Sequence, residues 1–380
     1  MSLIIARYFM YSLIALEVLL LPKILPIEVY TEIEYYKFIL YFMPFLLFGA
    51  NSGFVYFKYN DDEDYFTSLL AIGTIYFTFI SMGLYIYTDS LLFAISTLVI
   101  ALFMIVEQRV KTEKEFMLAM SIKPIISLAL IILSTMYFYN IISTVSVSFL
   151  YYSIILAFTI WVSIVLYKLK DTIIVDKVVK IKYFFKLIQK GFLISVGTLL
   201  LMTLFFTDRY FTKEFYPEYL ASYSFSYNLI QFIVLALATI AYTNTVSIGE
   251  SIKSIDIGFI KKQLLFAYKV FFILLISFSI FIYVLSFYYD FISFVAISLI
   301  MGLFIGNFFT INSIGSISQY KDFQLNTTIF MFIIVCLNVL ISYVMVEYGI
   351  EYIYLIIKTG ILLSVYSFSF LLIVNSKYNR

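Results

Sequence analysis

The chain has 380 residues, of which 63% are hydrophobic and 13% charged, and its mean hydropathy is +1.02. Soluble domains contain about 45–50% apolar and about 25% charged residues, so this composition excludes a water-soluble fold and indicates a polytopic membrane protein. The net charge of +2 is too small to indicate a nucleic-acid-binding surface. The sequence contains no histidine, which excludes histidine-based catalysis and most metal sites, so we expect no cofactor.

Apolar segments recur along the whole chain. A helix that crosses the hydrocarbon core of a bilayer needs about 20 mostly apolar residues. This template predicts an all-α membrane protein of about twelve transmembrane helices, at 3–22, 36–57, 65–87, 90–107, 116–138, 142–167, 187–207, 220–247, 264–288, 291–313, 325–346 and 351–375. The first segment ends without a small-residue cleavage site, so we expect it to be retained rather than removed as a signal peptide.

The longest polar connection, residues 168–186, follows the sixth predicted helix and is rich in lysine. It divides the chain into two predicted six-helix lobes, 1–175 and 176–380. The lobes begin alike, because Pro26 precedes Tyr36 by ten residues and Pro217 precedes Tyr227 by ten. Internal repeats of this kind underlie many transporter folds.

Lysine and arginine are distributed unevenly over the connections. Cytoplasmic connections carry an excess of these residues, which sets the orientation of a membrane protein. If both termini are cytoplasmic, the outside segments hold only Lys23, Lys37, Arg209 and Lys213. We therefore predict that both termini lie in the cytoplasm.

Five cations fall inside predicted helices. Ionisable groups at membrane depth cost about 2.5–3.5 kcal/mol each on insertion scales, so each one is a candidate functional residue. Arg7, Lys123, Lys190 and Lys269 are predicted to lie within about 11 Å of the cytoplasmic face, at 1.5 Å per helical residue. Lysine and arginine attract phosphate strongly in a low-dielectric cavity, so we predict a cationic substrate site, against the alternative that the long side chains snorkel to the headgroups. The five residues are Arg7, Lys123, Lys190, Lys269 and Lys358.

Two carboxylates are candidates for ion coupling. Glu17 is the only carboxylate well inside an apolar stretch, and Asp208 is predicted at the external end of the seventh helix. Burial disfavours the charged form of a carboxyl group, which suits a site that binds a proton or a cation. The alternative for Glu17 is a solvated position near the external end. The acidic run at 61–64 is interpreted as a solvated loop rather than a metal site.

Glycines spaced four residues apart predict close packing between helices of the bundle. Such pairs are Gly49 with Gly53 in the second predicted helix and Gly302 with Gly306 in the tenth.

Two regions resemble the polysaccharide-biosynthesis flippases. The stretch FFKLIQKGFLISVGTLLLMTLFFTDRYFTKEFYPEYLASYSFSYNLIQ, at 184–231, is similar to the start of the second half of that family. The positions that match the family pattern are Lys190, Gly191, Asp208, Arg209, Tyr219, Ala221 and Tyr223. LLLPKILPIEVYTEIEYYKF, leading into FGANSGFVYFKY, resembles the opening of the first half, although Thr31 stands where glycine is common.

The resemblance implies the multidrug/oligosaccharidyl-lipid/polysaccharide exporter superfamily: two six-helix lobes around a central cavity, alternating access and no enzymatic chemistry. It further implies an O-antigen flippase of the bacterial inner membrane, acting in lipopolysaccharide biosynthesis beside other O-antigen assembly proteins. Such a protein moves undecaprenyl-pyrophosphate-linked oligosaccharide from the cytoplasmic to the outer leaflet of the lipid bilayer.

Two other functions remain open. A membrane O-antigen polymerase or glycosyltransferase has a similarly apolar and aromatic composition, but such enzymes usually carry a large external loop, and the predicted external loops here are short. A drug exporter of the same superfamily would share the fold. The clustered cations favour an anionic headgroup over a cationic drug.

Overall fold

The computed structural model describes residues 3–60, 63–170, 179–250, 257–320 and 323–378; for some of these, Arg7 among them, it describes only the backbone. Within these ranges the regular structure is entirely helical, with two short 3₁₀ turns at Met43–Leu47 and Pro217–Tyr219. The α-helices, numbered α1 to α15, are Leu3–Ile24, Ile27–Phe42, Ala50–Asn60, Phe66–Thr88, Leu91–Thr112, Phe116–Met120, Ile122–Phe138, Ser148–Leu169, Ile181–Phe215, Leu220–Glu250, Ile257–Leu285, Phe294–Asn312, Ile317–Tyr320, Gln324–Glu347 and Tyr352–Tyr378.

The helices match the transmembrane segments predicted from composition. In the described ranges, nine helices are long and apolar enough to cross a bilayer, and two bent helix pairs raise the number to eleven. Helix α1 occupies the place of the remaining predicted segment. Large apolar side chains such as Phe79, Ile86 and Ile273 are exposed, as lipid contact requires. The predicted all-α membrane fold is confirmed.

The second predicted helix, 36–57, is not continuous, so that prediction is wrong. Helix α2 begins earlier, after Pro26, and gives way to the 3₁₀ turn that contains Pro44. Proline lacks a backbone N–H and clashes with the preceding turn, which breaks an α-helix. Phe48 and Gly49 then adopt positive φ angles of 48° and 93°, and the chain bends by 56° before α3.

The seventh predicted helix is longer than 187–207. Helix α9 runs from Ile181 to Phe215, and a bend of 61° separates Ile181–Leu193 from Ser195–Phe215. It ends just before Pro217, because the residue preceding a proline disfavours helical geometry. Asp208 therefore lies inside a helix rather than at its external end, which corrects the predicted position.

The sixth predicted helix begins later than residue 142. Helix α8 starts at Ser148, and residues 139–147 form turns and bends. Residues 171–178 of the predicted polar connection that follows, and with them the predicted lobe boundary at 175–176, lie outside the described ranges.

The chain forms two compact units, Met1–Leu199 and Leu200–Arg380. Trp161 lies in the core of the first unit, where it is fully buried and donates its indole N–H to the Leu118 carbonyl at 2.8 Å. Its ring meets Phe103 edge-on, with 5.1 Å between the ring centroids. In the second unit, Phe225 packs among the rings of Tyr289, Phe291 and Phe294.

Three glycines of the first unit bring two helices into backbone contact. A Cβ atom on Gly191 of α9 would lie 1.9 Å from the carbonyl oxygen of Gly49, and one on Gly53 of α3 would lie 1.9 Å from that of Leu187. These distances are far below van der Waals contact, so only glycine fits. The close packing predicted from the spacing of Gly49 and Gly53 is confirmed.

Candidate functional site

The second unit contains a buried polar cluster around Asp208. Helix α9 supplies Asp208, α14 supplies Asn338 and Ser342, and α15 supplies Lys358 and Thr359. All five side chains are buried. Three donors converge on Asp208 Oδ1: the Thr359 hydroxyl at 2.8 Å, the Lys358 ammonium at 3.2 Å and the Asn338 amide at 3.3 Å.

The Asp208 cluster, defined by these five residues, is electrostatically paired. The Lys358 ammonium also donates to the Ser342 hydroxyl at 2.5 Å, and that hydroxyl donates to the Asn338 carbonyl at 2.7 Å. An isolated charge in such surroundings would be costly, whereas an ion pair with further hydrogen bonds is tolerated. A cavity of about 10 Å³ adjoins Asp208 and Thr359, which is room for about one water molecule or small ion. The cluster can therefore hold a small cation or a proton in competition with Lys358.

The residues beside Asp208 on α9 extend the polar network. The Thr212 hydroxyl lies 2.7 Å from the Asp208 carbonyl oxygen and 3.2 Å from the Tyr352 hydroxyl. Arg209 is buried, and its guanidinium lies over the rings of Tyr223 and Tyr227, 5.7 and 5.3 Å from their centroids. Cation–π contact of this kind stabilises a desolvated arginine.

The first unit contains a second buried charged cluster, which we call the Glu17 cluster. Lys37 of α2 forms ion pairs with Glu17 of α1 and, at 3.4 Å, with Glu34 of its own helix. Glu17 and Glu34 are 1% and 2% exposed, so Glu17 is buried rather than solvated. The second carboxylate oxygen of Glu17, Oε2, has no hydrogen-bond partner among the described residues. A buried carboxylate oxygen without a donor is suited to accept a proton or a cation.

The other predicted cations do not join these clusters. Lys123 and Lys190 have exposed side chains, and their ammonium groups lie over the rings of Tyr41 and Tyr56, at 5.2 and 4.9 Å from the centroids. Lys269 is exposed on α11. The side chain of Arg7 lies outside the described part of the chain. Among the predicted cations whose side chains the structure describes, Lys358 is the one that pairs with a predicted carboxylate, Asp208.

The acidic loop after α3 is held by basic residues. Asp64 pairs with Arg109 and, at 3.5 Å, with Lys58. Glu63 pairs with Lys186 at 2.7 Å, and hydrogen bonds from Lys186 and Tyr65 lower the pKa of the Glu63 carboxyl group. The other two acidic residues of the predicted loop lie outside the described ranges. Ion pairing stabilises the described part of this loop.

Several residues of the two clusters were not predicted as site residues. Lys37 is predicted in an outside segment, and no sequence prediction concerns Glu34, Asn338, Ser342 or Thr359. The sequence does hold a signal for the last three of these residues. Asn338 and Ser342 are one turn apart in the apolar helix α14, and Thr359 follows directly after an intramembrane lysine.

Comparison of the sequence with protein-family models gave no match, and comparison with curated proteins also gave none. The fold, however, is similar to that of several solved structures. An inward-facing multidrug resistance MATE family transporter of the MOP superfamily superimposes with a TM-score of 0.72 at 12% identity, over 98% of this chain and 94% of that one. An outward-facing structure of such a transporter gives a TM-score of 0.65 at 12% identity, over 98% and 93% of the two chains.

A third similar structure is a MOP superfamily transporter from Pyrococcus furiosus, described as having a binding pocket of reverse polarity. Its TM-score is 0.67 at 11% identity, over 96% of this chain and 92% of that one. At such identities the likeness shows the fold alone. It confirms the transporter-type fold that the resemblance implied.

Proposed function

We propose that this protein is a membrane transporter that works by alternating access. One observation carries the proposal: nearly the whole chain shares its fold with transporters solved in inward-facing and outward-facing conformations. Alternating access requires two states whose relative populations change when a ligand binds. The similar structures are transporters, which favours translocation over the alternative of a membrane polymerase.

The proposed substrate is undecaprenyl-pyrophosphate-linked oligosaccharide, carried from the cytoplasmic to the outer leaflet of the bacterial inner membrane, with both termini in the cytoplasm and other O-antigen assembly proteins as partners. Support comes from the two flippase-like regions and from the exposed lysines on predicted membrane helices. Lys123, Lys190 and Lys269 are exposed residues, so their cationic side chains are candidates for contact with an anionic headgroup. Lys358 is engaged by Asp208, so we assign it to the ion-binding part of the cycle instead.

We propose Asp208 and Glu17 as ion-coupling residues. A proton or cation at Asp208 would compete with Lys358 for the same carboxylate oxygen and loosen the contact between α9 and α15. At the Glu17 cluster, the unpartnered carboxylate oxygen can take a proton, which would reduce the ion pair with Lys37 to a hydrogen bond to a neutral carboxyl group. An ion couples to transport only if it binds one conformational state more tightly than the other.

A drug exporter is the second candidate, because two of the similar structures are multidrug resistance transporters. The two functions differ in the charge of the substrate. An exporter of cationic drugs gains nothing from exposed lysines on the pathway, whereas a flippase of a pyrophosphate lipid does.

Flipping in proteoliposomes tests the proposal. Purified protein is reconstituted with a fluorescent undecaprenyl-pyrophosphate oligosaccharide, and transfer is scored by accessibility of the sugar to an external glycosidase. We expect protein-dependent transfer that falls at least tenfold in Lys123→Ala and is largely retained in Lys123→Arg. Lys262→Ala is the matched control, since Lys262 is equally exposed but lies near the start of α11.

Three results would count against the proposal. Absence of transfer together with chain lengthening, when donor and acceptor are supplied, would identify a polymerase. Efflux of ethidium from the same vesicles without transfer of the lipid would identify a drug exporter. Transfer that is unchanged in Lys123→Ala would remove that lysine from the pathway.

A further inference from the structure

The second unit also contains a large cavity whose lining shares no residue with the Asp208 cluster. Its volume is about 680 Å³, within the range of about 300–1,000 Å³ that is typical of small-ligand sites. It lies where the end of α9, the start of α12 and the connection between α14 and α15 meet. In the topology predicted from the charges, this is the external side.

Tyrosine rings form one wall of the cavity. Tyr219 and Tyr352 stack with 4.5 Å between their centroids and 20° between their planes, and Tyr216 lies 5.4 Å from Tyr352. The Tyr216 hydroxyl donates to the Ile350 carbonyl at 2.7 Å, and the Tyr352 hydroxyl lies 3.2 Å from that of Thr212. These contacts hold the rings in place. Tyr352 is buried against Tyr219, so a ligand meets a preformed surface made by the partly exposed rings of Tyr216 and Tyr219.

Two carboxylates also line the cavity. Glu218 lies in the first turn of the 3₁₀ helix, and Glu351 directly precedes α15. Both are exposed. The charge of Glu351, at the start of the long helix α15, is partly offset by the positive end of the helix dipole. No lysine or arginine is among the described lining residues, which disfavours a phosphate group.

Stacked aromatic rings beside carboxylates recognise a pyranose. The C–H bonds of a sugar ring pack against the electron-rich face of an aromatic ring, and each carboxylate oxygen accepts hydrogen bonds from sugar hydroxyls. A neutral polyhydroxylated ligand uses both features and brings no charge that the helix dipoles would oppose. A cation would use the rings and the carboxylates too, so it is the competing ligand class that the test must separate from a sugar.

We propose that this cavity, defined by Tyr216, Glu218, Tyr219, Glu351 and Tyr352, is a saccharide-binding site on the external side of the second unit. The assignment of its natural ligand rests on the proposed function: the site takes neutral sugar units of the oligosaccharide as they arrive at the outer leaflet. Saccharide binding itself is a property of the cavity and is measured without transport.

The test is saturation-transfer difference NMR on the detergent-purified full chain, with maltotetraose and tetra-N-acetylchitotetraose as probes. We expect saturation of the pyranose ring protons of at least one probe. The signal should fall at least tenfold in Tyr219→Ala, persist in Tyr219→Phe and weaken severalfold in Glu351→Gln. Tyr348→Ala is the matched control, because Tyr348 is an exposed tyrosine nearby that does not line the cavity.

Three outcomes overturn the proposal: no transfer to either probe, a signal unchanged in both Tyr219→Ala and Glu351→Gln, or binding only of tetraphenylphosphonium, which would mark a cation site. Glu351→Gln keeps the test decisive if Tyr219→Ala does not fold. The flipping assay separates the two claims. Flipping without saccharide binding refutes the cavity assignment alone, and saccharide binding without flipping refutes the proposed function alone.

Discussion

Removal of Lys358 should destabilise the second unit unless Asp208 is neutralised at the same time. The side chains are 6% and 3% exposed, and the ammonium lies 3.2 Å from Asp208 Oδ1. Lys358→Met leaves a buried carboxylate with two neutral donors, from Asn338 and Thr359. Loss of one partner of a buried ion pair costs about 3–5 kcal/mol, and the two remaining donors place this variant near the lower end.

The converse change, Asp208→Asn, should cost about 4 kcal/mol, because it leaves a buried ammonium with neutral acceptors such as the Ser342 hydroxyl in place of a carboxylate partner. The double variant removes both charges and should lie within about 1 kcal/mol of the wild type, since apolar or neutral replacement of a buried pair is often neutral or stabilising. The expected coupling free energy between the two sites is therefore at least about 6 kcal/mol.

Thermal unfolding in detergent, followed by size-exclusion chromatography with fluorescence detection, measures these differences. A change of 1 kcal/mol shifts the midpoint by about 2–4 °C for a unit of this size, so the single variants should lose about 6–15 °C and the double variant about 4 °C at most. Lys269→Met, at an exposed lysine of the same unit, is the control and should change little. Additive losses in the double variant would refute the pairing.

Three further predictions concern the first unit. Gly191→Ala should destabilise this unit by about 1–3 kcal/mol or prevent folding, because the new Cβ would overlap the α3 backbone. Gly83→Ala is the control: Gly83 lies in open space on α4, and the change should stabilise the unit by about 0.5–1 kcal/mol. Equal midpoints of the two variants in thermal unfolding would contradict this prediction. Lys37→Met should lower the free energy of unfolding by about 3 kcal/mol, because it leaves buried carboxylates without a cationic partner. The double variant Lys37→Met with Glu17→Gln should recover part of that loss in the same assay. A double variant no more stable than Lys37→Met would show that the two residues are not coupled. The pKa of Glu63 is lowered by its pair with a lysine of α9, so its stabilising effect is present above the ordinary carboxyl pKa and is lost as pH falls through the lowered value. Midpoints measured from pH 7 to pH 3 should therefore fall less steeply in Glu63→Gln than in the wild type, and parallel curves would rule out this contribution.

Most helix positions followed from composition alone. In a bilayer every backbone N–H and C=O must be satisfied within the segment, so an apolar stretch of sufficient length can only be a helix. For this reason Gln324–Glu347 and Phe116–Phe138 agree closely with the predicted segments 325–346 and 116–138. The prediction was wrong at the second helix, where hydropathy does not register the break that Pro44 and the positive φ angles of Phe48 and Gly49 introduce.

The sequence also identified which charged residues are unusual, because a charge in an apolar segment stands out at once. It marked Glu17, Asp208 and Lys358 individually. Only the tertiary structure decided their partners: Lys358 meets Asp208 across 150 residues of chain, and Glu17 meets Lys37. Helical periodicity assigns a residue to a face of its own helix, but helix packing determines which neighbouring face it meets. Helix packing therefore joined Lys358, predicted as a substrate-site cation, and Asp208, predicted as an ion-coupling carboxylate, in one paired cluster.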